Sequence, residues 1–174
     1  MSPALKLEKK YTYKDYEKWE DRFELIDGVA YAMAPAPIPK HQIIVGRIYN
    51  ELIKNLDCKD CEVFIAPVDW KIDEQTVVQP DVSIFCEDIE NKKYLTTTPK
   101  LIVEVLSVST IFKDVNIKFK LYERVGVKYY VIVNPENNEY KIFKLKDGEY
   151  KEKKEAKFKW DNCQTKINFK RVFK

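Results

Sequence analysis

One histidine in 174 residues, His41, excludes a histidine-rich metal centre. Four glycines are too few and too scattered for a phosphate-cradling loop, and no serine- or proline-rich tract suggests a long flexible linker. No apolar run approaches the ~20 residues of a membrane helix. The N-terminal Met-Ser-Pro-Ala-Leu-Lys has no apolar stretch of the kind a secretory signal needs. A cytoplasmic protein with no membrane partner is therefore expected. A net charge of +3 is too small to mark a nucleic-acid binder by itself; it permits that function without supporting it. Cysteines stand only at 58, 61, 86 and 163. Cys58-Lys-Asp-Cys61 has zinc or redox spacing but lies after a helix and before a strand, whereas a thioredoxin-type motif opens a helix. A structural zinc would need Cys86 and Cys163, or His41, to converge on it. Ordinary reduced cysteines are the expectation.

The length suits one domain spanning 1–174, with a core over about 11–150 and a C-terminal extension over 151–174. Its organising stretch is Val77 to Pro135. Val-Val-Gln-Pro-Asp-Val-Ser-Ile-Phe (77–85) and Leu-Ile-Val-Glu-Val-Leu (101–106) are apolar strands, each with one central carboxylate, Asp81 and Glu104. Alternation puts Asp81 on a face with Gln79, Ser83 and Phe85, and Glu104 on a face with Ile102 and Leu106. A lone carboxylate in a buried strand costs several kcal/mol unless compensated. Two on neighbouring strands repel unless a cation lies between them. Asp81 after Pro80 also suits a strand start or a turn cap, and a structural Glu104–Lys118 ion pair is the plain alternative for Glu104.

Residues 114–125 follow as a helix, with Asp114, Lys118 and Tyr122 in line and an apolar stripe of Val115, Phe119, Tyr122 and Val125. Gly126 is its stop, and 128–134 returns as a strand. Upstream, Thr12 caps a helix over 13–19, and Asp27-Gly28 turns a hairpin of 22–26 with 29–33. Residues 34–39 form a stiff extended connector. The helix over 41–56 carries Ile44, Ile48 and Leu52, with Val45, Ile53 and Leu56 beside them. Strands over 63–72 and 76–85 pair, a polar loop spans 86–99, and turns at 137–138 and 147–148 lead to strands over 140–145 and 149–159. The last is a charged edge strand. Ile167, Phe169, Val172 and Phe173 tuck a final segment onto the body.

The blocks Phe-Glu-Leu-Ile-Asp-Gly (23–28), Gln-Pro-Asp-Val-Ser-Ile (79–84), Val-Glu-Val-Leu-Ser-Val-Ser-Thr (103–110), Asp114-x3-Lys118-x3-Tyr122 and Gly-Val-Lys-Tyr-Tyr-Val-Ile-Val-Asn-Pro (126–135) resemble the Uma-two family. That family belongs with the PD-(D/E)xK nucleases, and the likeness covers roughly Tyr11 to Tyr150. It implies an α/β, restriction-endonuclease-like fold: a central mixed β-sheet flanked by helices, with an N-terminal β-hairpin. It also implies a divalent-metal-dependent DNA endonuclease and a homodimer. Trp19, Trp70 and Trp160 offer weak independent support for association. Leu106 stands where the superfamily motif has lysine, and the family's shift of that lysine onto the next helix points to Lys118. Val108 and Asn134 stand where the family has proline and aspartate. Asp81, Glu104 and the Val105 carbonyl would hold Mg²⁺ or Mn²⁺, Lys118 would be catalytic, and the resemblance adds Glu24 to the site. The alternative is an inert member kept as a binding or interaction module. His41 at a helix start suits a cap or the core, Asp114 a first-turn helix acid, and Tyr122 packing.

Overall fold

The computed structural model describes residues 10–33 and 35–174, so the N-terminal hexapeptide and Ala34 of the connector lie outside it. Helix α1 (Tyr13–Tyr16) precedes hairpin strands β1 (Phe23–Ile26) and β2 (Val29–Ala32). Asp27 and Gly28 both have positive φ, as a type I′ turn requires. The long helix α2 (Pro39–Asn55) leads to β3 (Glu62–Ile65), β4 (Trp70–Asp73), β5 (Thr76–Val78), β6 (Val82–Phe85) and β7 (Leu101–Val105). Helix α3 (Lys118–Val125) is followed by β8 (Tyr129–Asn134), β9 (Glu139–Lys146) and β10 (Glu149–Lys153). Strands β11 (Lys157–Trp160) and β12 (Cys163–Lys166) and helix α4 (Phe169–Val172) complete the chain.

A six-stranded mixed sheet runs β10-β9-β8-β7-β6-β3, and a four-stranded antiparallel sheet runs β2-β1-β5-β4. In the larger sheet only β7 and β8 are parallel, and α3 lies on the crossover that such a pair requires. Alternation along β7 divides the core. Leu101, Val103 and Val105 meet Ile44, Val45, Ile48 and Leu52 of α2, together with Phe158, Trp160, Phe169 and Val172 from the C-terminal segment. Ile102 and Leu106 face Leu121 and Tyr122 of α3 and Trp70 and Val78 of the smaller sheet. Glu104 shares that second face.

Several elements depart from the sequence reading. The expected strand over 77–85 is two strands. Pro80 has no N–H to give a ladder, so the chain breaks there, leaving β5 in the small sheet and β6 in the large one. Its partner over 63–72 breaks likewise: β4 pairs with β5, and β3 pairs with β6. Helix α1 stops at Tyr16, not Trp19. In α2, Ile53 is 47 % exposed and Leu56 only half-buried, so the buried face is narrower than the apolar pattern. Before α3 lies a wide turn over Lys113–Ile117, closed by Lys118 N–H donating to Lys113 O, five residues back. That extra residue rotates the helix face: Val115 is 41 % exposed, while Lys113, Asp114 and Lys118 point inward. The charged strand ends at Lys153 as the edge of the large sheet, and β11 pairs with β12 instead. Trp70 and Trp160 are core residues, so neither supports association.

The cysteines also depart from expectation. Cys58 is bonded to Cys163 and Cys61 to Cys86. Cys58 and Cys163 lie 105 residues apart, a separation that hides their convergence from any local reading. Among the described residues, no helix is long and apolar enough to cross a membrane.

The α2 face has a direct check. Ile48→Ala should cost about 2–5 kcal/mol in urea unfolding, as a deleted core side chain does, whereas Ile53→Ala should stay within about 0.5 kcal/mol. Equal losses would mean that α2 packs through the wider face.

Candidate active site

Where a strand passes from one sheet to another, its N–H groups lose their ladder partners and must find others. At the Gln79-Pro80-Asp81 break they go to carboxylates. Gln79 N–H donates to Glu24 Oε1 at 2.8 Å, Pro80 has none to give, and Asp81 N–H donates to Glu104 Oε2 at 3.3 Å. On β7 the ladder to β6 ends at Val103, and Val105 N–H donates to Asp81 Oδ2 at 2.8 Å. Asp81 and Glu104 are thus cross-tied through each other's backbone. The Gln79 side chain donates to Asp69 Oδ1 at 2.7 Å and accepts from Arg22 at 2.8 Å, which fixes the segment.

Helix α3 closes the site from the other side. Lys118 Nζ lies 2.8 Å from Glu104 Oε1 and 2.8 Å from Glu24 Oε1, with Asp114 Oδ1 at 3.7 Å. Lys113 pairs with the other oxygen of Glu24. Tyr122 donates its hydroxyl to Glu104 Oε1 at 2.9 Å. His41, near the start of α2, donates Nε2–H to the Val105 carbonyl at 2.8 Å and stands 3.6 Å from Asp81 Oδ2. Glu24, Glu104, Asp114 and Lys118 are each at most 2 % exposed, whereas the Asp81 side chain is 22 % exposed. The site therefore opens at Asp81. The positive end of the α2 dipole is brought to the same edge, where it favours negative charge.

Four carboxylates here face two lysines, leaving two negative charges when all are ionised. Burial and these charges together shift the pKa values of the site. Burial first, and then Asp114, Asp81 and Glu24, push Glu104 well above the usual carboxylate range despite Lys118. Burial opposes ionisation of Glu24 too, but Lys118 and Lys113 overcome it and its pKa falls. Burial likewise opposes the charge on Lys118, yet Glu104, Glu24 and Asp114 hold its pKa well above 10.5. Burial lowers the His41 pKa, and Asp81 with the Val105 carbonyl more than reverses this. The donor set suits a divalent cation, which would supply the missing charge to hard oxygen ligands on Asp81 and Glu104. The Val105 carbonyl has a second lone pair beside the one that His41 engages.

A family model described as "Putative restriction endonuclease" matches residues 13–160. The chain belongs to the Uma2 family. It is 32% identical over 149 residues to an uncharacterized protein of Synechocystis sp., covering 81% of this chain and 78% of the relative. Its fold is shared with a crystal structure from Anabaena variabilis titled "a putative nuclease belonging to DUF820". That likeness has a TM-score of 0.70 at 16% identity and covers 93% of this chain and 97% of the other. The α/β fold around a central mixed sheet is that of this nuclease-like family.

Within this Uma2 protein the structure brings Glu24, Asp81, Glu104, Val105 and Lys118 together. Three residues hold places that sequence reasoning did not give them. Asp114 is a first-turn acid, as expected, but also a buried carboxylate facing Lys118, and Tyr122 does more than pack, since it hydrogen-bonds Glu104. His41 holds the Val105 carbonyl. For Asp114 and Tyr122 the spacing Asp114-x3-Lys118-x3-Tyr122 was the available signal. Lys113 had none, because the wide turn alone directs it inward. Lys118 is held there by charge: removing its ammonium would leave Glu104 without a lysine and Glu24 with Lys113 alone, at about 3–5 kcal/mol.

Asp114 makes this electrostatic balance measurable. Burial, then Asp81 and Glu24, raise its pKa from 3.8 to about 6, against the pull of Lys118 and a Thr110 hydrogen bond. A carboxyl that holds its proton more tightly folded than unfolded favours the fold at low pH. That contribution is lost as pH rises from near 3.8 through about 6. With a chelator present, wild type minus Asp114→Asn should show a relative loss of stability across that window, up to about 3 kcal/mol. Parallel curves would mean that Asp114 titrates normally.

Proposed function

We propose that this protein is a divalent-metal-dependent DNA endonuclease. The observation that carries the proposal is the cross-tied pair Asp81 and Glu104, opening to solvent at Asp81 and backed by Lys118. Asp81, Glu104 and the Val105 carbonyl would hold Mg²⁺ or Mn²⁺. When bound, the ion lowers the pKa of a water and offsets charge on the phosphorus oxygens. Hydrolysis joins the water oxygen to phosphorus and breaks one P–O ester bond, with a proton passing to the leaving oxygen.

The chain's own side chains set the stage for that reaction. Lys118 and Tyr122 fix the rotamer of Glu104, and Lys118 adds a compact positive charge to the site. Glu24 holds Lys118 from behind, with Lys113 as its own counter-ion. His41 orients the Val105 carbonyl, and its position beside Asp81 puts the α2 N-terminus where a phosphodiester would approach. Cutting both strands of a duplex would be served by two copies, and a homodimer is part of the proposal.

An inert, interaction-only protein is the second reading, favoured by the near-complete burial of the Glu104–Lys118 pair. Purified protein with Mg²⁺ or Mn²⁺ should convert supercoiled, linear or single-stranded DNA to shorter or relaxed products. Asp81→Asn and Glu104→Gln should each slow this by about a hundredfold or more. DNA left intact in every form with both metals would favour the inert module, and cleavage undiminished in Asp81→Asn would show contamination or another site.

A further inference from the structure

Every cysteine of the chain converges on one place, far from the carboxylate site. Cys58 follows α2, Cys61 precedes β3, Cys86 follows β6, and Cys163 opens β12. Their positions in sequence have little in common, yet the sulfurs of Cys58, Cys61 and Cys163 all lie within 4.8 Å of one another. Cys58 Sγ is 3.0 Å from Cys61 Sγ, and Cys86 is joined directly to Cys61. The backbone around them is fixed by other means: Asp57 and Gln164 form a bridge, Trp160 pairs with Cys163 across the β11–β12 turn, and Cys61 is 5 % exposed. His41 and the carboxylates lie at the opposite end of α2, about 20 Å away along a helix rising ~1.5 Å per residue.

We propose that in the reduced protein these four cysteines form a structural zinc site. Zinc takes four thiolates tetrahedrally at ~2.3 Å, which sets sulfurs about 3.8 Å apart. Three of the sulfurs already lie within 4.8 Å of one another, and the fourth, on Cys86, is bonded to one of them. Two molecules of a dithiol reductant convert the two disulfides to four thiols and are themselves oxidised to two disulfides. Zinc then displaces four protons, leaving a tetrathiolate of net charge −2. Three thiols this close, with Cys86 beside Cys61, are a ligand set that needs little ordering on binding, and the Cys58-x2-Cys61 turn supplies half of the four from one loop. Metal and disulfides would do the same work in different redox surroundings. Either would tie the ends of α2, β6 and β12 together.

The full chain, reduced and freed of reductant without air, is mixed with one equivalent of Co²⁺ and then of Zn²⁺. A tetrathiolate site should give intense visible d–d bands and a thiolate-to-metal charge-transfer band that zinc abolishes. Native mass spectrometry should then show one zinc per chain. Cys86→Ser and Cys163→Ser should each weaken binding at least about tenfold. Four freely titratable thiols in the presence of equimolar zinc, with no charge-transfer band, would overturn the proposal. So would disulfides that persist unreduced in the native chain under excess dithiol.

Discussion

A buried ammonium ion holds this structure's functional centre together. Lys118 lies in contact with Glu104 on the large sheet and Glu24 on the small one, so a single charge joins both sheets to α3. Burying that charge alone would be prohibitive, and burying either carboxylate alone nearly so. Together they are tolerable, but the compensation is incomplete. Asp114 and Asp81 add two more carboxylates against only one further lysine, Lys113. Burial first, and this surplus after it, push Glu104 and Asp114 upward. A purely structural ion-pair network would gain nothing from such an excess. The proposed divalent cation would offset it.

The second constraint is the backbone. Gln79-Pro80-Asp81 is where one chain segment leaves the small sheet for the large one, and its free N–H groups are satisfied by Glu24 and Glu104. Pro80 removes the donor that would have continued a ladder. The sheet-to-sheet break and the acidic site are therefore one feature. Changing Pro80 at the break would disturb the sheets and the carboxylates together.

Much of the centre was legible from residue chemistry. Glu104 in the middle of Leu-Ile-Val-x-Val-Leu signalled a compensated charge, because solvent does not reach such a position, and alternation placed it on the face that meets α3. The β7–α3–β8 crossover and the Asp27-Gly28 hairpin followed from local pattern. The breaks at residues 66–69 and 79–81 had a signal in Pro67 and Pro80, which give no N–H to a ladder, but which flank joins which sheet was not legible, since both flanks have equal β character. The inward turn of Lys113 and Asp114 depends on one extra residue in a helical turn, which a regular 3.6-residue period does not contain. The convergence of Cys58 with Cys163 is purely tertiary.

The most direct test of the carboxylate centre needs no knowledge of substrate: thermal melts of wild type, Asp81→Asn and Glu104→Gln, each with a chelator and with millimolar Mg²⁺ or Mn²⁺. An ion that binds only the folded chain, at a hundred times its dissociation constant, adds about 2.7 kcal/mol. Metal should therefore raise the wild-type melting temperature, and Asp81→Asn should lose most of that response. Without metal, Asp81→Asn should be as stable as wild type or more so, because its amide oxygen can still accept from Val105 N–H while one repelling charge is gone. No metal-dependent shift in wild type, together with strong destabilisation of Glu104→Gln alone, would contradict a metal site and leave Glu104 and Lys118 as a structural pair.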